Sequence, residues 1–170
     1  MTHRQNLHKH LFLILTLCWI IVIFSFSLQN GSLSSLQSGF FSTRIHQFLV
    51  SMSINIEKST VSYMIRKGAH FTEFFILGCL ARKSSIDLDK NHLLIFIFII
   101  PIMDEFIQSF VPDRAMSIYD MGIDALGILT GIVLISLIHS RITQKLIKNG
   151  YLFYFLSYFI KIYTFFNNIP

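Results

Sequence analysis

The chain has 170 residues, of which 53% are hydrophobic and 14% charged; soluble domains usually carry roughly 25% charged residues. Its mean hydropathy is +0.60, a balance with which a small water-soluble domain could not cover its apolar surface, so a membrane is the expected solvent. The formal net charge of +5 raises nucleic acid as a partner. The lysines and arginines sit at the ends of apolar runs, not along a polar stripe with interleaved aromatics, so no nucleic-acid binding is expected.

Residues 11–28 form an apolar run long enough to cross a bilayer. Arg4 and Lys9 precede it, a start that also describes a signal peptide. The exit, Ser25-Phe26-Ser27-Leu28-Gln29, has no small-residue cleavage pattern, and a retained first helix is expected. Residues 32–57 read as a long serine-rich loop. A second span covers 63–80 and contains Lys67, His70 and Glu73. The two cysteines, Cys18 and Cys79, lie in the first two runs without a CxxC pair and read as buried, reduced side chains.

A third span over 93–110 is interrupted by Pro101 and carries Asp104, Glu105 and Gln108. A short loop over 111–116 holds Pro112, Asp113 and Arg114. Ser117 is the expected N-cap of a fourth helix over 117–138. That helix has Asp120 and Asp124 near its start, then Gly127 and Gly131, a GxxxG pair that permits close helix contact. Arg141, Lys145 and Lys148 follow as a basic linker. In the aromatic tail, Tyr154, Ser157, Tyr158, Lys161 and Thr164 recur at helical spacing, which indicates an amphipathic helix at the membrane interface. A short fifth span is the competing reading there. The expected fold is therefore all-α. A transmembrane domain over 1–140 forms a bundle of about four membrane-spanning helices, and a membrane-associated tail covers 141–170.

Arg4, Lys9, Arg82, Lys83, Lys90, Arg141, Lys145 and Lys148 would lie on one side of such a bundle. Arg44, Lys58 and Arg114 would lie on the other, with Arg66 at a helix mouth. The heavier side is expected to be cytoplasmic, which puts the N-terminus inside. At a rise of about 1.5 Å per residue, the charges of all three later helices then fall within roughly 15 Å of the outer surface.

Lys67, His70 and Glu73 share one helix face; Asp104 and Gln108 share another, with Glu105 at its margin; Asp120 and Asp124 share a third. Charges facing lipid are costly, so these faces are expected to meet each other or a water-filled pocket. The plain alternative is ion pairing that merely orders the helices, Lys67 with Glu73 or with an aspartate, and Asp120 at a helix start. Against five carboxylates stand only Lys67 and Arg114, with His70 conditional. An enclosed site with that surplus must hold protons, bind a cation or open to water. His70 and Glu73 stand one helical turn apart, as in helical metal sites, but the pair alone specifies neither a metal nor a cofactor. No catalytic triad, P-loop or Rossmann glycine series is evident, so no catalytic residue is assigned.

The segment Arg66-Lys67-Gly68-Ala69-His70-Phe71-Thr72-Glu73-Phe74 resembles the second-helix motif of the VanZ-like membrane proteins. The run from Asp104 to Arg114, DEFIQSFVPDR, resembles that family's third-helix and loop motif. Asp120 to Gly131, DMGIDALGILTG, is similar to its fourth-helix motif, and Ser25 to Gln29 to its first-helix exit. Phe74, where a tyrosine is common, and Asp113, where a glycine often follows the proline, depart from the pattern, and neither is expected to touch the charged set. The resemblance implies a multi-pass protein of the bacterial cytoplasmic membrane with a role in the cell envelope. The family's namesake is linked to low-level resistance to the glycopeptide teicoplanin. The first functional expectation is an outward pocket that binds an envelope lipid, a precursor or such an antibiotic, with membrane lipids as partners. A small membrane enzyme using the carboxylates and His70 comes second, and a proton- or cation-coupled carrier third.

Overall fold

A computed structural model describes residues 3–140, with side chains from His10 onward. The expected basic linker and aromatic tail over 141–170 lie outside the described residues. Among those residues the chain forms six helices and no strand: α1 His3–Ser27, α2 Gly31–Ser51, α3 Lys58–Leu88, α4 Leu93–Ile97, α5 Ile100–Gln108 and α6 Ile118–His139. Of the described residues, those up to Ile132 form one compact unit and those from Val133 belong to another. The core and the site both belong to the first unit. In the second, the helix closes with the Ser140 amide and hydroxyl both donating to the Leu137 carbonyl, at 3.2 and 2.9 Å.

The segment 10–27 of α1 and the whole of α6 are long and apolar enough to cross a bilayer, with mean hydropathies of 2.3 and 2.2. The third apolar run is broken as Pro101 dictates. Its ring nitrogen cannot donate to the Ile97 carbonyl, so α4 ends there and α5 restarts with the proline in its first turn. Between them Phe98 and Ile99 bond three residues back, to Ile95 and Phe96, in a tightened turn. Ser117 caps α6 by accepting the Asp120 amide at 3.3 Å.

Three expectations are corrected. The segment read as a loop over 32–57 is mostly helix, as α2 covers Gly31–Ser51. Serine is a poor loop signal where its hydroxyl folds back on the helix. Ser38 donates to the Ser35 carbonyl at 3.2 Å, Ser42 to Gly39 at 3.1 Å and Ser51 to Phe48 at 2.6 Å. Helix α3 runs from Lys58 to Leu88, well beyond 63–80. Falling hydropathy marks the end of an apolar layer, not of a helix. No glycine or proline stops the chain between Leu80 and Asp89, where φ turns to 55°. Pairing of Lys83 with Asp87 supports the polar last turns. Finally, Cys18 is exposed, since it sits on the outer face of α1; Cys79 is half-buried, and both thiols are free.

Helix α3 is the hub: it packs on α1, α2 and α4, while α1 also packs on α5. The core cluster is Ile23, Phe74, Leu77, Ala81, Ile97 and Ile128. The Trp19 indole donates to the Glu73 carbonyl at 2.9 Å and ties α1 to α3. Contact between α3 and α6 is backbone on backbone. A Cβ placed on Gly127 would lie 2.6 Å from the Phe71 carbonyl oxygen, and one on Gly131 would collide with that of Phe75. Gly78 reciprocates against the Ile128 backbone.

The interior is unusually polar. Thr16, Ser27, Ser38, Ser42, Ser84, Ser85, Asp104, Glu105, Gln108 and Asp124 are all buried. Large apolar side chains point outward from every helix, among them Ile21, Leu36, Met64, Ile95, Phe106 and Leu126. Helix α2 shows the inversion most sharply: Phe40 is 62% exposed while Ser42 is 1% exposed.

Candidate functional site

A cavity of about 510 Å³ opens where the end of α1, the inner face of α2, α3, α5, the 111–116 loop and the start of α6 converge. Each wall follows from a local feature. The 3.6-residue period brings Lys67, His70 and Glu73 to one face of α3. The i, i+4 spacing of Asp104 and Gln108 aligns them on α5. The loop bends back because Asp113 adopts φ 62°, in the left-handed region where glycine is at ease and aspartate is tolerated. That bend lets the Gly31 amide donate to the Pro112 carbonyl at 3.2 Å. A side chain on Gly31 would be excluded, since its Cβ would lie 2.5 Å from the Asp113 oxygen.

Seven of the nine residues expected at the site line this cavity: Lys67, His70, Glu73, Asp104, Gln108, Arg114 and Asp120. Glu105 and Asp124 are fully buried and do not line it. They stand behind its floor, with ligand atoms of His70, Asp104, Glu105 and Asp124 all within 4.8 Å of one another. Asp113 also lines the cavity, where the left-handed turn folds it over Gly31. Phe74 packs in the core instead, against Gly127.

Partners are distributed unevenly. Lys67 forms an ion pair with Asp120, not with Glu73, and lies 5.1 Å from the centre of the Tyr63 ring. Asp104 accepts the Gln108 amide at 2.7 Å and the Ser27 hydroxyl. Glu105 accepts the Ser117 amide through Oε2 at 2.7 Å, which joins α5 to the cap of α6. The His70 imidazole and Asp124 stand 3.5 Å apart, Nδ1 to Oδ1, an ionic contact longer than a hydrogen bond. Glu105 Oε1, both Asp124 oxygens and His70 Nδ1 have no hydrogen-bond partner among the described residues.

With Lys67 engaged by Asp120, the acidic surplus concentrates on the floor. Arg66, Lys67 and Arg114 line the walls above it. Such an arrangement can take a cation below and an anionic group above.

Sequence reasoning missed the contribution of α1 and α2: Ser27, Ser34, Gln37 and Ser38 also line the cavity. A signal was available. Ser34, Ser38 and Ser42 recur every four residues, the spacing of one helix face, while Leu33, Leu36 and Phe40 occupy another.

The family model described as VanZ/LLP1 matches residues 12–139, which include every helix from α2 to α6 and all of the cavity. No curated protein matches the chain, and no solved structure does. With the match spanning most of its length, the chain belongs to the VanZ/LLP1 family.

Proposed function

We propose that this protein crosses the bacterial cytoplasmic membrane four times, through α1, α3, α4 with α5, and α6, with its N-terminus inside. Its cavity then opens to the outer leaflet and takes the polar head group of an envelope lipid or lipid-linked precursor. The observation that carries this reading is the cavity itself: a pocket of about 510 Å³ with polar and charged walls, enclosed by helices whose outer faces are apolar. In hydrocarbon such polar groups are expensive and gather where they have work to do. Helix α2 supports an interfacial mouth, since Phe40 and Phe48 are exposed while Ser38 and Ser42 are buried. Arg66 and Arg114 suit an anionic head group, and the α2 serines that line the cavity suit its hydroxyls or amides. In this reading a contribution to low-level teicoplanin-type resistance follows from capture at the cavity of the antibiotic or of the precursor it targets.

Lipid retention tests the reading. Protein purified in mild detergent should carry a phosphate-bearing envelope lipid, visible by native mass spectrometry. Arg114→Gln should reduce that occupancy by about tenfold, the equivalent of about 1.4 kcal/mol. Undiminished occupancy would remove the cavity from lipid binding.

Orientation is tested separately. In a background lacking Cys18 and Cys79, Asn55→Cys lies in the exposed connection before α3 and His92→Cys in the exposed turn before α4. An impermeant thiol reagent on whole cells should label the first and spare the second. The reverse pattern would place the mouth on the cytoplasmic side.

A further inference from the structure

We infer that the floor of the cavity is a divalent-cation site, formed by His70, Asp104, Glu105 and Asp124 and suited to an ion of the Mn²⁺ or Zn²⁺ class. Four side chains from three helices bring ligand atoms within 4.8 Å of one another. The acidic cluster does not stand alone. Asp124 is 0% exposed, and neither of its oxygens accepts a hydrogen bond among the described residues. Glu105, equally buried, leaves Oε1 in the same condition. Orphaned buried carboxylate oxygens are rare because each forfeits its solvation without return. A divalent ion would take one oxygen from each of these carboxylates and offset two of the three negative charges.

The geometry fits such an ion. Donors about 2.1 Å from one tetrahedral metal stand about 3.4 Å from each other. His70 Nδ1 and Asp124 Oδ1 are 3.5 Å apart. Across an octahedral ion, opposite donors are about 4.2 Å apart, so a pair at the 4.8 Å limit of this set would close by about 0.6 Å in opposite positions. The outer contacts are also those of a ligand shell. Gln108 and Ser27 orient Asp104, and the Ser117 amide holds Glu105 by Oε2 so that Oε1 is left for the ion. One imidazole with three carboxylates favours Mn²⁺ or Zn²⁺ over softer metals.

An ion there would sit under the basic wall of the pocket and could meet the phosphate of a head group from below. The inference deepens the lipid-binding reading and rests on it only for that role. Metal binding is therefore measured without lipid, and lipid retention in the presence of a chelator, so that either can fail alone.

The full chain, purified in detergent and stripped with EDTA, is titrated with Mn²⁺ and with Zn²⁺. Bound metal is read by elemental mass spectrometry after gel filtration. About one equivalent of at least one ion is expected, with D124N and E105Q each weakening binding about tenfold or more. D87N, whose carboxylate pairs with Lys83 elsewhere on α3, should bind as the parent does. The ion should also raise the melting temperature of the parent and not that of D124N, which separates ligation from adsorption. Failure of the folded parent to bind either ion overturns the assignment. So does parent-like binding by both D124N and E105Q.

Discussion

Gly131→Leu is expected to leave little folded protein in the membrane. The glycine faces the Phe75 carbonyl of α3 so closely that even a methyl group has no room, and its neighbours there are backbone atoms that cannot swing aside. Helix α6 would have to separate from α3, opening the contact that also seats Gly127 and Gly78. Overpacking in yielding cores costs about 1–3 kcal/mol, and this site, backbone against backbone, should stand at or above the upper end. Gly122→Ala supplies the control. Gly122 lies on the same helix with nothing within 4 Å of an added Cβ. There the substitution should be neutral or stabilise by up to about 1 kcal/mol, since alanine is the better helix former. Melting in detergent and membrane abundance read both. Parent-like stability of Gly131→Leu would show that the α3–α6 contact does not hold the fold together.

The second large effect separates two kinds of charge substitution. Glu73→Gln, Asp104→Asn and Asp124→Asn should each alter lipid retention, the last two by weakening cation binding beneath the head group, while the protein accumulates at near-parent level. Lys67→Met should instead deplete the protein. The reason is the excess of carboxylates. Ionised carboxylates of Asp104, Glu105 and Asp124, whose ligand atoms lie within 4.8 Å of one another, repel by about 3 kcal/mol or more per pair at an effective dielectric constant near 20. Neutralising one relieves that repulsion while keeping the side chain's volume. Lys67, by contrast, is the partner of Asp120, and its side chain is 22% exposed. Its removal leaves a half-buried carboxylate uncompensated beside further acids. Breaking fully buried pairs costs roughly 3–5 kcal/mol, and partial solvation lowers the figure here. A network kept only for structure would instead lose abundance in step with lipid across all three acidic swaps. Measuring both quantities on one set of membranes decides between them.

Much of the fold was legible because its determinants are local. Run length places α1 and α6, and the missing amide of Pro101 places the break between α4 and α5. Ser117 at the head of α6 follows from cap chemistry that needs only three residues. The helical period already groups Lys67 with His70 and Glu73, and Asp104 with Gln108. Helix α2 was illegible for an equally local reason misread. Its serines look like loop residues unless their hydroxyls are seen to return to the helix, and its apolar side chains face away from the core that normally gives such a stripe its meaning.

What only the tertiary structure decided is which charges meet. Spacing permits Lys67 to pair with Glu73 or with an aspartate, and only the closeness of α3 and α6, set by three glycines, selects Asp120. Glu105 stood at the margin of its helix face in the sequence. In the fold it is fully buried, with one oxygen on the cap of α6 and the other turned free. Asp124 is likewise an ordinary helix residue until Gly127 and Gly131 draw it in beside His70. Periodicity assigns a side chain to a face of its own helix. Partners depend on how far apart two backbones stand and how each helix is rotated toward the other, and those follow from packing summed over the whole bundle.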